Sequence, residues 1–421
     1  MINNLINKKI VILGFGKEGN STYNYIRKYD KNIFLTIMDN NYKNIIIDDK
    51  NVSIENIDYQ KLKDYDLIIK TPGISFKEVD ISSFKSKITS QLELFLENTK
   101  AFIIGVTGSK GKSTTSTLIY EILKNNNKKC ILLGNIGIPI FDEIDEIKDD
   151  YYVVIEISSH MLQYVKKSPN ISVITNFFPE HLDHYTNLDE YYNAKLNIAR
   201  YQNKEDFLIY TSDNKDLKNY IDKINNQNKI DVTFKNNKYS NIKTNLKGEH
   251  NLKDILYALK VSEILNLDLN KSLDAIEKFK PLKHRMELVG TYNGIIFYND
   301  SIATIPDATI NAIKALDTVN TLIVGGKDRN IDYTDLINYI NSCKIKNIIF
   351  LPSTGHKICD TINSVYNKFK VDNVEEAVDI AMKVTEKGKI CLLSPAASSY
   401  GYYKNFEDRG NRYINAIKKY K

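Results

Sequence analysis

Short apolar runs alternate with amphipathic stretches along most of the chain, and the runs stop at glycine or polar residues. That rhythm predicts buried parallel strands joined by helices, the signature of an α/β protein. Lys9 to Leu13, Ile33 to Met38 and Leu67 to Ile69 read as strands of a first unit. A second series comprises Phe102 to Ile104, Cys130 to Leu133, Tyr152 to Ile155 and Val173 to Thr175. Residues 204–247 are polar and rich in Asn and Lys, and edge strands and loops are expected there. Gly248 to Asn251 then caps a helix that carries Leu252, Ile255, Leu256 and Leu259 at helical spacing. A third series holds Ile295 to Tyr298, Thr321 to Val324, Ile348 to Leu351 and Ile390 to Leu393. Three α/β domains are expected, at 1–98, 99–281 and 282–421, with a hinge at Pro281 to Glu287. The first and third are Rossmann-like and the central one is a larger doubly wound sheet.

Composition narrows the class. A chain of 421 residues exceeds one ordinary core. Its net charge of +6 is modest and spread out, and no basic stripe with interleaved aromatics suggests a nucleic-acid partner. No apolar run approaches the roughly 18 residues of a membrane span, and Met1 to Asn4 do not start a signal peptide, so a cytoplasmic protein is expected. Cys130, Cys343, Cys359 and Cys391 are scattered without a Cys-x-x-Cys pair and read as free thiols.

The chemistry centres on Ala101 to Thr115. An apolar strand breaks into a turn with glycines at 105, 108 and 111, followed by Lys112, Ser113, Thr114 and a helix. Backbone amides of such a turn cradle phosphate, Lys112 adds a point charge, and a hydroxyl of Ser113 or Thr114 reaches magnesium. The strict phosphate-loop pattern has glycine where this chain has Val106, so a glycine turn without a ligand stays an alternative. Ligands of open parallel sheets bind beyond the carboxyl ends of strands. Asn135, Glu156 and the loop after Asn176, with Glu180, His181, Asp183 and His184, are therefore expected to converge on the cradle. Carboxylate and imidazole there suit magnesium, against the plainer reading of a solvated turn. Upstream, Gly14, Gly16 and Gly19 with Asp39 twenty residues on form a dinucleotide-type fingerprint. A nicotinamide cofactor, another nucleotide and a plain structural turn all remain open for it.

The ordered set of phosphate loop, Glu156-Ile157-Ser158-Ser159, His181, Ala194-Lys195, His250-Asn251, His284-Arg285 and Asn299-Asp300-Ser301 resembles the Mur ligases. The closing Leu393 to Ala396 and Lys404 to Gly410 resemble their D-glutamate-adding branch. The resemblance covers all three domains and implies an ATP-dependent ligase joining D-glutamate to UDP-N-acetylmuramoyl-L-alanine through an acyl phosphate, acting as a monomer. It implies UDP-sugar contacts at Gly14, Lys17, Glu18, Asp39, Gly73, Asn135 and Ser158, and a P-loop ATPase-like centre with ATP contacts at Gly108, Ser109, Lys110, Gly111, Lys112, Ser113, Thr114, Asn251, Arg285 and Asp300. Two magnesium ions are implied, held by Ser113, Glu156, His181 and Lys195, the last as a carbamate derived from carbon dioxide. Thr304, Lys327, Arg329, Ser399 and Phe406 fall at the amino-acid end, and Lys112, His181 and Lys195 carry catalysis.

The chain also departs from that family. Ile302 stands where a lysine is common, Met161 where a glutamine is, Asp254 where an asparagine is, and Gly401 where an aspartate is. Arg329, with Lys327 adjacent, occupies the place of a glutamate-holding lysine. Another Mur-type or folylpolyglutamate-type ligase, a non-catalytic nucleotide-binding regulator and a dehydrogenase are the competing readings.

Overall fold

The computed structural model describes residues 5–134, 139–181, 184–225, 228–233, 242–246, 248–316, 318–328, 331–362 and 365–420. The chain forms two compact units, one of residues 1–243 and 253–278, the other of residues 244–252 and 279–421.

The first unit holds two sheets. Strands β1 (Ile10–Leu13), β2 (Leu35–Met38), β3 (Val52–Glu55), β4 (Leu67–Lys70) and β5 (Ile88–Thr89) are all parallel, in the order β3-β2-β1-β4-β5. Strands β6 (Phe102–Thr107), β7 (Cys130–Gly134), β8 (Tyr152–Glu156), β9 (Ile171–Ile174), β10 (Phe207–Tyr210) and β11 (Lys229–Asp231) form the second, in the order β11-β10-β9-β6-β8-β7. Every position of β1, β2 and β9 is buried, as strands covered on both faces require. One apolar cluster joins the sheets, with Ile10, Ile12 and Ile69 beside Leu133, Ile155 and Phe177. A second, with Val11, Leu13, Ile68 and Phe76, fills the other face of the first sheet. Within 204–247 the structure differs from expectation, because β10 pairs with both β9 and β11 and is internal. β11 is the edge strand there, and nothing local to Phe207–Tyr210 tells a strand paired on both sides from one paired on a single side.

The second unit holds β12 (Glu287–Tyr292), β13 (Ile295–Asn299), β14 (Val319–Gly326), β15 (Asn347–Ser353), β16 (Asn367–Lys370) and β17 (Ile390–Leu393), in the order β12-β13-β17-β14-β15-β16. The sequence pattern misses β12, an antiparallel edge strand with one exposed flank. Its hairpin turn is Asn293-Gly294, both at positive φ (50° and 80°), the conformation such two-residue turns require. Apolar clusters cover both faces of this sheet.

Candidate active site

The phosphate loop joins β6 to the helix Lys112–Asn125. Gly108 and Gly111 take φ of 148° and 83°, which side chains resist. A Cβ on Gly108 would lie 1.9 Å from Thr175 Oγ1, and one on Gly111 would lie 2.3 Å from Asp254 Oδ1. Val106 belongs to the buried strand, which runs on through Thr107, so the turn starts only at Gly108 and needs no glycine earlier. Asn176, just beyond the end of β9, braces the loop. Ser109 N–H donates to Asn176 O (3.0 Å), Lys110 N–H donates to Asn176 Oδ1 (2.8 Å), and Asn176 Nδ2 donates to Lys110 O (3.0 Å). The Ser109 hydroxyl accepts from Phe178 N (2.9 Å) and lies 3.0 Å from the Tyr191 hydroxyl. Asp254 accepts from Thr115 Oγ1 at 3.1 Å, so the departure at this position packs against the loop and the helix start.

Two lysines from separate elements converge on one carbonyl. Lys112 Nζ donates to Gly108 O and Ser109 O at 3.0 Å each, and Lys195 Nζ donates to the same Gly108 O at 2.8 Å. Lys195 sits on the helix Leu188–Arg200, is 2 % exposed and lies 4.6 Å from the centre of the Tyr191 ring. Burial, reinforced by the like charge of Lys112, pushes its amine well below the usual lysine range, with Glu180 opposing.

Glu156, the last residue of β8, is 2 % exposed and pairs in register with Val106 of β6. Glu180 forms an ion pair with Lys110 at 2.9 Å. Burial works against its charge, but Lys110, Lys112 and His181 prevail and hold its carboxyl at about 2. His181, at φ 60°, has Nε2 3.8 Å from Glu180 Oε2. Its ring packs edge-on against His160 at 4.6 Å, and His160 packs against His184 at 4.2 Å. Burial, then His181 and His184, push His160 down to about 2, so it is neutral at physiological pH. His184 Nε2 lies 3.1 Å from Gln163 Oε1. Among the described residues no group of three or more His, Cys, Asp or Glu side chains is arranged to hold a metal ion by itself. Carboxylate, imidazole and hydroxyl groups such as those of Glu156, His181 and Ser113 are hard donors of the kind magnesium takes when phosphate and water complete its shell.

At the carboxyl edge of the first sheet, Gly14 takes φ 90°, and a Cβ there would lie 2.1 Å from Thr71 Oγ1. Asp39 accepts from Phe15 N–H at 2.7 Å, tying the turn to the end of β2. Lys17 is exposed, Glu18 stands in the first turn of the helix Lys17–Tyr29, and Gly73 is exposed in the turn after β4. Ser158 caps the helix Ser159–Leu162, its hydroxyl accepting from Met161 N–H at 3.2 Å. Asn135 and Asp183 lie outside the described residues.

In the second unit Asp300 is 5 % exposed and accepts from Ser394 Oγ (2.9 Å) and Met286 N–H (3.2 Å). His284 and Met286 flank Arg285 at φ 61° and 47°, a bent segment fixed where Asn299 Nδ2 meets His284 Nδ1 at 2.8 Å. Asn251, 6 % exposed, lies in the helix Glu249–Ile264. Beside it, burial and then Arg285 push His250 down to about 4. Ser399 is buried, Thr304 and Phe406 are half-buried and Lys327 is exposed, its N–H donating to Ser398 O at 2.8 Å. Arg329 lies outside the described residues.

Nothing in the sequence marks out Arg409, yet it is the largest fully buried side chain among the described residues. Its guanidinium donates to Ser301 Oγ (3.0 Å), Ser301 O (2.8 Å) and Ala397 O (3.1 and 3.2 Å), tying together the loops that carry Thr304 and Ser399. Arg409→Met strands these buried acceptors at a cost of about 2–4 kcal/mol. Faster amide hydrogen exchange at 301–304 and 396–399 is the expected result, and unchanged exchange would rule out this bracing role. Tyr191 was missed too, because a tyrosine on an amphipathic helix looks like any core residue.

The model "Mur ligase MurD-like, N-terminal domain" matches residues 8–90, "Mur ligase middle domain" matches 106–294, and "Mur ligase, glutamate ligase domain" matches 284–397. A UDP-N-acetylmuramoylalanine–D-glutamate ligase of Acetivibrio thermocellus is 33% identical, over 98% of this chain and 97% of the relative. A protein of the same name from Clostridium botulinum is 36% identical over 85% of this chain and 83% of its own. The chain therefore belongs to the Mur ligase family. The MurF ligase of Thermotoga maritima, solved in complex with ADP, shares the fold at a TM-score of 0.62 and 14% identity, covering 100% of this chain and 96% of its own. MurC from the same organism does so at 0.62 and 18%, covering 99% and 100%.

Proposed function

We propose that this chain is an ATP-dependent acid–amino-acid ligase that joins D-glutamate to UDP-N-acetylmuramoyl-L-alanine in the synthesis of peptidoglycan precursors. The observation that carries the reading is the convergence of Lys112 and Lys195 on Gly108 O, in a chain similar over nearly its whole length to a ligase of that name. Residues 1–98 would take the UDP-sugar, through Gly14, Lys17, Glu18, Asp39 and Gly73, with Asn135 and Ser158 added from residues 99–281. Residues 99–281 would take ATP, and residues 282–421 D-glutamate, near Ser399, Phe406, Thr304 and the Lys327-to-Arg329 segment. Asn251, Arg285 and Asp300 would contact the nucleotide.

The substrate carboxylate attacks the γ-phosphorus of ATP, the bond to the leaving ADP oxygen breaks, and an acyl phosphate forms. Lys112, at the head of its helix, offsets the charge gathering on the phosphate oxygens, and the loop amides hold them in place. The amine of D-glutamate then attacks the acyl carbon, loses a proton and expels phosphate. Magnesium, when bound, supplies further neutralisation of phosphate charge. Ser113 would hold one ion, and Glu156, His181 and Lys195 would serve a second. For Lys195 we favour a carbamate. Only a neutral amine adds to carbon dioxide, and the burial that lowers the proton affinity of Lys195 favours that form. Its carbamate would place a negative charge beside Lys112.

The test is phosphate release from ATP with UDP-N-acetylmuramoyl-L-alanine and each of D-glutamate, L-glutamate, L-lysine and meso-diaminopimelate. Release above background with D-glutamate alone is expected. Background release with D-glutamate, or a faster rate with another amino acid, would overturn the reading.

A further inference from the structure

The reaction outlined above leaves one buried cation of the N-terminal sheet without a task. Lys70 is the last residue of β4 and pairs with Leu13 of β1. The strand order changes direction between these two strands, the place where open α/β sheets take their ligands. The side chain is 4 % exposed. Its ammonium donates to Thr71 O at 3.3 Å and otherwise faces the rings of Phe76 and Tyr164, whose centres lie 6.0 and 5.9 Å away. Among the described residues no carboxylate forms an ion pair with it. Glu18 is the carboxylate that acts on it from further off. Burial pushes Lys70 down to about 8 with Glu18 opposing, and pushes Glu18 up to about 7 with Lys70 opposing.

A buried ammonium with one long hydrogen bond is costly, and a phosphate is the kind of group that offsets such a charge. The turns that follow β1 and β4 are open to solvent at Gly16 and Gly73, where an added Cβ would meet nothing within 4 Å. We propose that the Lys70 ammonium binds the diphosphate of the nucleotide-sugar substrate and sets the preference for UDP over an uncharged nucleoside. The assignment rests on the reading of the chain as a UDP-sugar ligase.

The experiment is calorimetric titration of the full chain with UDP and with uridine, for the native protein, Lys70→Met, Lys70→Arg and Lys70→Gln. Lys70→Met is expected to weaken UDP binding by about tenfold or more, the usual scale for a charged hydrogen bond. Uridine binding should stay unchanged, and Lys70→Arg should recover most of the UDP affinity. An unchanged UDP-to-uridine ratio in Lys70→Met overturns the proposal. Should that variant fail to fold, Lys70→Gln, which keeps a polar group of similar reach without the charge, reads the same ratio. Unchanged UDP binding alongside a raised KM for UDP-N-acetylmuramoyl-L-alanine also overturns it, placing the charge at the terminal carboxylate. Native protein that shows the Lys70-dependent UDP preference but releases no phosphate with D-glutamate sinks the ligase reading alone. Active native protein with an unchanged ratio in the variants sinks the Lys70 assignment alone.

Discussion

Lys112→Ala is expected to lower kcat for phosphate release by about 100- to 1,000-fold, while calorimetric binding of UDP is unaffected. Lys112 opens the helix Lys112–Asn125, and its Nζ reaches the carbonyls of Gly108 and Ser109 at 3.0 Å, so its charge is held over the loop that would grip the β- and γ-phosphates. A compact ammonium there opposes negative charge that grows as the acyl phosphate forms, and the loss falls on the transition state more than on ATP binding. Lys112→Arg should not restore the rate, because a broad planar guanidinium cannot take the place of a point charge under a tight glycine turn. An alanine variant that keeps the native kcat at saturating substrates would remove Lys112 from the chemistry and leave it a brace for the loop.

The second expected result concerns Lys195. Lys195→Ala should lose activity by about 10- to 100-fold, the range typical of groups that orient metal ligands, and formate or acetate should restore part of it. The rescue separates two roles. The side chain is 2 % exposed and lies between Gly108 O and the Tyr191 ring, so its removal leaves a small polar cavity beside the phosphate loop. A short carboxylate entering that cavity supplies the negative charge of a carbamate but cannot replace a lysine hydrogen bond to a carbonyl. Loss without rescue would therefore assign Lys195 to bracing Gly108. Loss with rescue, together with a mass increase of one carbon dioxide on Lys195 in the native protein, supports the carbamate.

Much of this site was legible before any coordinates. The glycines at 108 and 111 had to be glycine because their backbone lies in the left-handed and extended-positive region with Thr175 and Asp254 pressed close. Such a demand leaves its mark in sequence. Asn176 could be anticipated as well, since a polar residue just beyond a buried strand of a parallel sheet stands where ligands and their loops gather. Strands such as β1 and β14, apolar and buried on both faces, could hardly have been missed. β12 was missed because it is a half-exposed edge strand whose apolar pattern does not rise above its surroundings, and the internal position of β10 was missed because pairing on both sides leaves no local mark.

Arg409 and Lys70 were illegible for a different reason. Charged residues near the end of a chain or a strand are ordinarily solvated, and nothing local tells a solvated arginine from one at 0% exposure with both Ser301 and Ala397 as acceptors. By itself the sequence determined the βα rhythm, the phosphate turn and, through the order of its motifs, the family. Only the tertiary structure decided that Lys195, on a helix far along the chain from the phosphate loop, meets Lys112 at a single carbonyl, and that Lys70 is buried with no ion-pair partner among the described residues. Local spacing governs turns and faces, whereas the neighbours that bury or offset a charge are brought by other strands.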